Sequence, residues 1–135
     1  MEGGCMCGAV RYRVASTPYD AGWCHCRTCQ LNSGSPAMAF ATVPFTDFHF
    51  IHGADLAGTV ASSETGQRCF CTRCGTPLLM QEGDAPDTVD FSLATLDDPR
   101  SVTPGFHIFY ASRIPWADSV DDLPRHDRGR SDTAG

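Results

Sequence analysis

The chain has 135 residues, of which 41% are hydrophobic and 19% charged, with a formal charge of −6. Length and composition fit one folded domain and exclude a disordered chain, a collagen-like repeat and a coiled coil. Eight cysteines and no lysine are the unusual counts; without lysine, carbonyl chemistry has no side-chain amine for a Schiff base.

Met1-Glu2-Gly3-Gly4-Cys5 has neither a basic n-region nor an apolar h-region, so a cytoplasmic location is expected, where thiols stay reduced and dense cysteines point to metal. Val10, Tyr12 and Val14 alternate with Arg11 and Arg13, which predicts a half-buried strand over Ala9–Val14. A short helix is expected after Cys26 toward Asn32. The uncharged stretch 28–46 is broken by Asn32, Ser33, Pro36 and Pro44 and predicts no membrane span. Two more strands are expected over Ala37–Val43 and Phe45–Ile51, divided by Pro44.

Shorter strands are predicted at Arg68–Cys71, Leu78–Gln81, Val89–Leu93 and Phe106–Tyr110. Asp97-Asp98-Pro99 reads as a turn, and a second short helix is expected around Ser112–Asp118. From Arg125 the chain is small and polar, and fraying is expected. Thirteen Gly and nine Pro agree with many short strands joined by turns. The fold class is therefore mostly β. Residues 1–81 balance five Arg against five acids, whereas residues 82–135 hold five Arg against eleven. With no arginine stripe, a nucleic-acid partner is not expected.

The cysteines fall in three clusters: Cys5-Met6-Cys7-Gly8, Cys24-His25-Cys26-Arg27-Thr28-Cys29, and Cys69-Phe70-Cys71-Thr72-Arg73-Cys74-Gly75. Residues i and i+2 of an extended segment point to one side, so each Cys-x-Cys can aim two sulfurs at one ion. Gly8 and Gly75 permit the positive φ that such turns often need. Thiolate donors favour tetrahedral Zn²⁺. Eight thiolates make either two closed four-cysteine sites, or one closed site, one open three-cysteine site and a spare. Spacing alone leaves both arrangements standing.

Gly4-Cys5-Met6-Cys7-Gly8-Ala9-Val10-Arg11-Tyr12, Cys24-His25-Cys26-Arg27-Thr28-Cys29 with Gly34, and Arg68-Cys69-Phe70-Cys71-Thr72-Arg73-Cys74-Gly75-Thr76-Pro77-Leu78 carry a family resemblance. So do Leu96-Asp97-Asp98-Pro99, His107-Ile108, Ile114-Pro115-Trp116 and Leu123-Pro124. The chain resembles the glutathione-dependent formaldehyde-activating enzyme family, which also includes centromere protein V. The resemblance implies a single compact domain of several small antiparallel sheets stabilised by zinc, over residues 1–124, followed by a polar tail over 125–135.

It further implies two zinc ions. Cys5, Cys7, Cys71 and Cys74 would form the structural site; Cys24, Cys26 and Cys29 would hold a second, catalytic zinc with an open position, leaving Cys69 spare. The implied activity is that of a carbon–sulfur lyase that joins a zinc-bound thiol, by family name glutathione, to formaldehyde or a small carbonyl. An anionic thiol would need arginine, for which Arg11, Arg13, Arg27, Arg68 and Arg113 are the candidates. The alternative is a zinc-stabilised binding or scaffold module with two closed four-cysteine sites, Cys69 completing the second. His25, between two ligands, is expected to face away from the metal, and His107 to be a strand histidine. His49 and His52 are expected at the surface. Phe40, Phe45, Phe48, Phe50, Phe70 and Trp116 are expected in the core or a pocket wall.

Overall fold

A computed structural model describes residues 1–117 and 121–130. The expected mostly β class holds, in two sheets. β1 (Glu2–Gly4), β2 (Arg11–Val14) and β5 (Phe48–His52) form a three-stranded antiparallel sheet in the order β1-β2-β5. The larger sheet has the order β10-β3-β4-β9-β8-β7-β6. Its strands are β3 (Tyr19–Cys24), β4 (Met38–Pro44), β6 (Ala57–Ala61), β7 (Gln67–Cys71), β8 (Pro77–Gln81), β9 (Thr88–Ser92) and β10 (His107–Ile108). All neighbours run antiparallel except β10 and β3.

Three strands lack the sequence signals used to find the others. In β3, Tyr-Asp-Ala-Gly-Trp-Cys turns only Gly22 and Cys24 fully inward, so no apolar alternation is visible. Gly22 is required there because the Phe106 ring lies against it, 2.6 Å from where a Cβ would stand. β1 is Glu-Gly-Gly, and β6 is an edge strand with Thr59, Val60 and Ala61 exposed. The strand expected from Phe45 begins instead at Phe48, because Phe45–Asp47 makes one 3-10 turn after Pro44. Phe45 is therefore exposed and stands at the wall of a cavity, not in the core.

Strand alternation divides the seven-stranded sheet into two working faces. Ala41, Val43, Val89 and Phe91 point to one side and pack with Val10, Tyr12 and Val14 of the small sheet. Tyr12 is fully buried, stacks on Phe48 at 4.7 Å and reaches Phe91 at 5.9 Å. Its hydroxyl pairs with Thr95 Oγ1 at 2.7 Å, which satisfies the polar atom that burial would otherwise strand. Met38, Phe40 and Met80 point to the opposite face and pack with Cys24, Cys29 and Phe106.

One α-helix is present among the described residues, α1 (Arg27–Ser33). Cys26 caps it, its Sγ accepting the Cys29 N–H at 3.3 Å, and the Gly34 N–H closes the other end on the Gln30 carbonyl. The helix expected around Ser112–Asp118 is two separate 3-10 turns, Tyr110–Ser112 and Pro115–Ala117, with Asp118 outside the described residues. Trp116 is 78% exposed, which corrects its expected place in the core or a pocket wall. No helix among the described residues is long and apolar enough to cross a membrane.

The fraying expected from Arg125 is corrected for residues 125–130. His107 and His126 exchange backbone hydrogen bonds with this segment and β10: the His107 N–H donates to Pro124, and the His126 N–H to His107. The Phe109 N–H donates to the Arg128 carbonyl, His126 is buried, and Arg130 pairs with Asp20. Backbone pairing, the buried His126 ring and the Arg130–Asp20 ion pair together hold this polar segment in place. Residues 131–135 lie outside the described set.

Truncation of Phe91 to Ala should cost about 3–5 kcal/mol, because its ring fills the junction between the two sheets. Tyr12→Phe should cost only about 1 kcal/mol, the worth of its hydrogen bond. Urea unfolding of the two variants checks both the size and the order of these losses.

Candidate metal centres

The first sulfur group joins two turns far apart in sequence, with Cys7 and Cys71 separated by 64 residues. Cys5 starts a turn in which the Gly8 N–H donates to the Cys5 carbonyl and the Val10 N–H to Cys5 Sγ at 3.3 Å. Cys71 starts a second turn, closed by the Gly75 N–H on the Cys71 carbonyl at 2.7 Å. Gly8 and Gly75 have φ of 80° and 84°, the left-handed conformation expected at these positions. The Met6 N–H donates to Thr76 Oγ1 at 3.0 Å and ties one turn to the other.

The Sγ atoms of Cys5, Cys7, Cys71 and Cys74 all lie within 4.8 Å of one another. Cys5 and Cys7 are 3.5 Å apart, and Cys7 and Cys71 are 3.9 Å apart. Disulfide sulfurs would stand at about 2.05 Å, whereas a tetrahedral ion with Zn–S near 2.3 Å separates its sulfurs by roughly 3.8 Å. All eight cysteines are free. The donor set and spacing fit a four-coordinate metal ion.

The second group is built by the junction of β3 and α1. Cys24 ends the strand, Cys26 caps the helix and Cys29 lies in its first turn, and their sulfurs also lie within 4.8 Å of one another. In the absence of a cation, three such sulfurs cannot all ionise. Hydrogen bonds from Cys24, then Cys29, hold the Cys26 thiol down to about 2, while the Cys24 thiol is pushed up through its bonds to Cys26 and Cys29. Three sulfur donors gathered this closely fit a divalent metal that favours thiolates.

Arg68 completes the surroundings. It is buried, and both terminal nitrogens donate to Cys29 Sγ at 3.4 Å, one of them also to Asn32 Oδ1 at 3.1 Å. Its Nε has no hydrogen-bond partner among the described residues. Cys24, Cys26, Cys29 and Arg68 border a cavity of about 360 Å³ with apolar walls from Phe40, Met80, Ile108 and Phe109. Glu82, Asp84 and Asp90 add carboxyl groups to it.

Cys69 belongs to neither sulfur group. It alternates with Arg68 along β7 and so points to the opposite face, where it borders a separate cavity with Phe45, Phe50, Leu79 and Val89. Burial pushes its thiol up. The geometry gives no support to a closed four-cysteine site at Cys24, Cys26 and Cys29.

His25 turns away from the sulfurs, as expected. It is buried, with Nε2 at 2.8 Å from His107 Nδ1, and its carbonyl accepts from Gln30 Nε2 at 2.9 Å. His107 in turn reaches Asp121 at 3.0 Å through Nε2. Burial and then the neighbouring His107 hold the His25 ring below its ordinary value. This His–His–Asp chain braces the loop between two cysteines; the pairing of residues 82 apart left no sequence signal. His49 and His52 are exposed, as expected.

Four of the five candidate arginines lie elsewhere. Arg11 is paired with Asp97 and Arg13 with Glu2 on the small sheet. Arg27 donates to Gln30 Oε1, and Arg113 lies over the Tyr110 ring at 4.4 Å. Only Arg68 borders the cavity. Each of the others found a partner distant in sequence or on its own turn, which one-dimensional charge counting cannot foresee.

The family model for glutathione-dependent formaldehyde-activating enzymes matches residues 1–112. The chain belongs to this family. A protein of Halomonas elongata, provisionally named a glutathione-dependent formaldehyde-activating enzyme, is 28% identical over 125 residues, covering 87% of this chain and 80% of that one. An uncharacterised lyase of Schizosaccharomyces pombe is 35% identical over 77 residues, or 57% of this chain and 54% of its own length. A crystal structure of a Rhodobacter sphaeroides protein shares the fold, with a TM-score of 0.65 at 23% identity, covering 93% of this chain and 99% of that one.

A lowered pKa keeps a thiol in its nucleophilic form as pH falls, and a raised one removes that form. In folded, metal-free protein at pH 6, iodoacetamide should therefore label Cys26 ahead of the buried Cys69. Peptide mapping by mass spectrometry reads the order.

Proposed function

We propose that this protein is a zinc-dependent carbon–sulfur lyase of the formaldehyde-activating type. It would join a small-molecule thiol to formaldehyde or another small carbonyl, or run the reverse cleavage. In this reading Cys24, Cys26 and Cys29 hold the catalytic zinc, and Cys5, Cys7, Cys71 and Cys74 hold a structural one. The observation that carries it is the gathering of three thiols, without a fourth cysteine, at the border of a cavity large enough for a small substrate. Bound by three thiolates, zinc would carry net −1 and keep a position in which an added thiol is stabilised as thiolate.

The chain's own residues supply the rest. Arg68 donates two hydrogen bonds to Cys29 and so offsets the negative charge gathered on the sulfurs. Phe40, Met80, Ile108 and Phe109 give the cavity an apolar wall beside the sulfurs, which would strengthen polar contacts made to a substrate there. Glutathione is the thiol that the family name suggests. Arg68 is the one arginine available for its carboxylates, against Glu82, Asp84 and Asp90, so a thiol of lower negative charge fits the cavity as well. No lysine is required at any step. The four-cysteine group fastens β1 and β2 to the β7–β8 turn, and metal there would add to folding stability.

Native mass spectrometry should find two zinc equivalents in the wild type and in Cys69→Ser, and one in Cys26→Ser. Carbon-13 exchange NMR with labelled formaldehyde should show faster exchange between formaldehyde and its S-hydroxymethyl adduct than in buffer, with the acceleration lost in Cys26→Ser. A wild type carrying both zincs that leaves exchange at the spontaneous rate with glutathione, cysteine and cysteamine would sink this reading.

A further inference from the structure

A carboxyl group stands in the middle of the seven-stranded sheet, on the face that carries the cavity. Val89 and Phe91, its neighbours along β9, go to the core, so Asp90 points the other way. Cross-strand register sets Arg68, Met80, Asp90 and Thr42 in one row over β7, β8, β9 and β4. At the usual strand spacing, Asp90 is two strands, roughly 10 Å, from Arg68. Arg68 holds Cys29, and both Arg68 and Asp90 border the cavity with Cys24 and Cys26. Met80 on β8 lies between these two polar groups, and Phe40 on β4 adds to the apolar wall.

This carboxyl is held but not neutralised. Thr42 Oγ1 donates to Asp90 Oδ1 at 2.6 Å. Oδ2 has no hydrogen bond and the group no ion pair among the described residues, and the cavity adjoins it. Aspartate is disfavoured in strand interiors, and an apolar or hydroxyl residue would serve β9 better. A carboxyl fixed by one oxygen and free at the other, at the wall of a reaction cavity, has the geometry of a proton carrier.

We propose that Asp90 is the acid–base group of the thiol–carbonyl reaction, carrying the proton between thiol sulfur and carbonyl oxygen. The assignment rests on the reading given under Proposed function. In the joining direction the S–H bond breaks and its proton passes to the Asp90 carboxylate. The sulfur electron pair then forms the S–C bond while the C=O π pair moves to oxygen. Oxygen takes the proton back from Asp90, which is restored as carboxylate. Thiol and aldehyde become a hydroxymethyl thioether with no further reactant. In the cleaving direction Asp90 takes the hydroxyl proton as the C–S bond breaks.

The surroundings suit that task. Burial raises the Asp90 carboxyl above the ordinary carboxylate range, the Thr42 hydrogen bond lowers it in part, Glu82 and Asp20 raise it, and Arg68 lowers it. A proton carrier must release and regain its proton near the working pH, and a raised carboxyl does this better than an exposed one.

Asp90→Asn keeps the shape and an acceptor for Thr42 but cannot exchange the proton. It should retain both zinc equivalents and the thiol affinity of the wild type, while the catalysed exchange rate falls by roughly 10²- to 10⁴-fold. Asp90→Ala should regain part of its rate with added formate. A readout independent of turnover is the carbon-13 carboxyl titration of the substrate-free, metal-loaded protein. The resonance missing in Asp90→Asn should titrate above those of exposed aspartates, and higher still in Thr42→Val, which loses the donor that favours the carboxylate. An active wild type with Asp90→Asn within threefold of its rate, or an Asp90 midpoint in the ordinary range, overturns the Asp90 role and leaves the lyase reading intact. A wild type that accelerates no thiol–aldehyde exchange overturns both.

Discussion

Two-residue alternation along β7 is the constraint on which the arrangement depends. Arg68 points to one face of the seven-stranded sheet, and Cys69 and Cys71 to the other. Arg68 therefore reaches Cys29, whereas Cys71 joins Cys5, Cys7 and Cys74. A one-residue slip would exchange these roles, burying a guanidinium in the core and sending Cys71 to the wrong sulfur group. The same alternation in β9 sends Val89 and Phe91 to the core and Asp90 to the cavity. The sheet thus separates what must be dry and packed from what must meet a substrate.

The three-cysteine group is placed by supports outside the cavity. Cys24 is fixed by β3, and Cys26 and Cys29 by the first turn of α1, with Cys26 serving as the helix cap. Between them the His25 ring binds His107 on β10, and His107 binds Asp121. The segment 121–130 then pairs with β10 from the far side. Three elements from distant parts of the sequence therefore hold a loop of a few residues in one shape. Such bracing keeps donor atoms close to the geometry an ion demands.

The strands with clear alternation were legible because one face of each meets a core: β2, β4, β8 and β9 all bury apolar residues at every second position. β3 was not legible because glycine, under the Phe106 ring, takes the place of an apolar side chain. The helix cap and both tight turns were foreshadowed by cysteine and glycine spacing, since metal-binding turns impose local geometry. Arginine positions carried no such signal. Arg11 meets Asp97, and Arg13 meets Glu2 across a strand pair, so their availability depended on topology alone. Trp116 and Phe45 are apolar residues at the surface, a reminder that hydrophobicity restricts the inside more than the outside.

By itself, the sequence determined the β class, the three cysteine clusters, the local turns that aim their sulfurs and the family to which the chain belongs. These follow from short-range stereochemistry and from motifs read along the chain. The family resemblance implied that Cys5 and Cys7 meet Cys71 and Cys74 and that Cys69 is left over, and the folded sheets bring those four sulfurs together. Only the tertiary structure decided that Cys69 lies on the other face and that Arg68 alone of five candidate arginines borders the cavity. It also decided that Asp90, a residue the sequence did not single out within a strand it did predict, shares that cavity with Cys24, Cys26 and Cys29. The physical reason is common to all four: each depends on which strands are neighbours and in which register, and residues far apart in the chain acquire a distance only when the sheet forms.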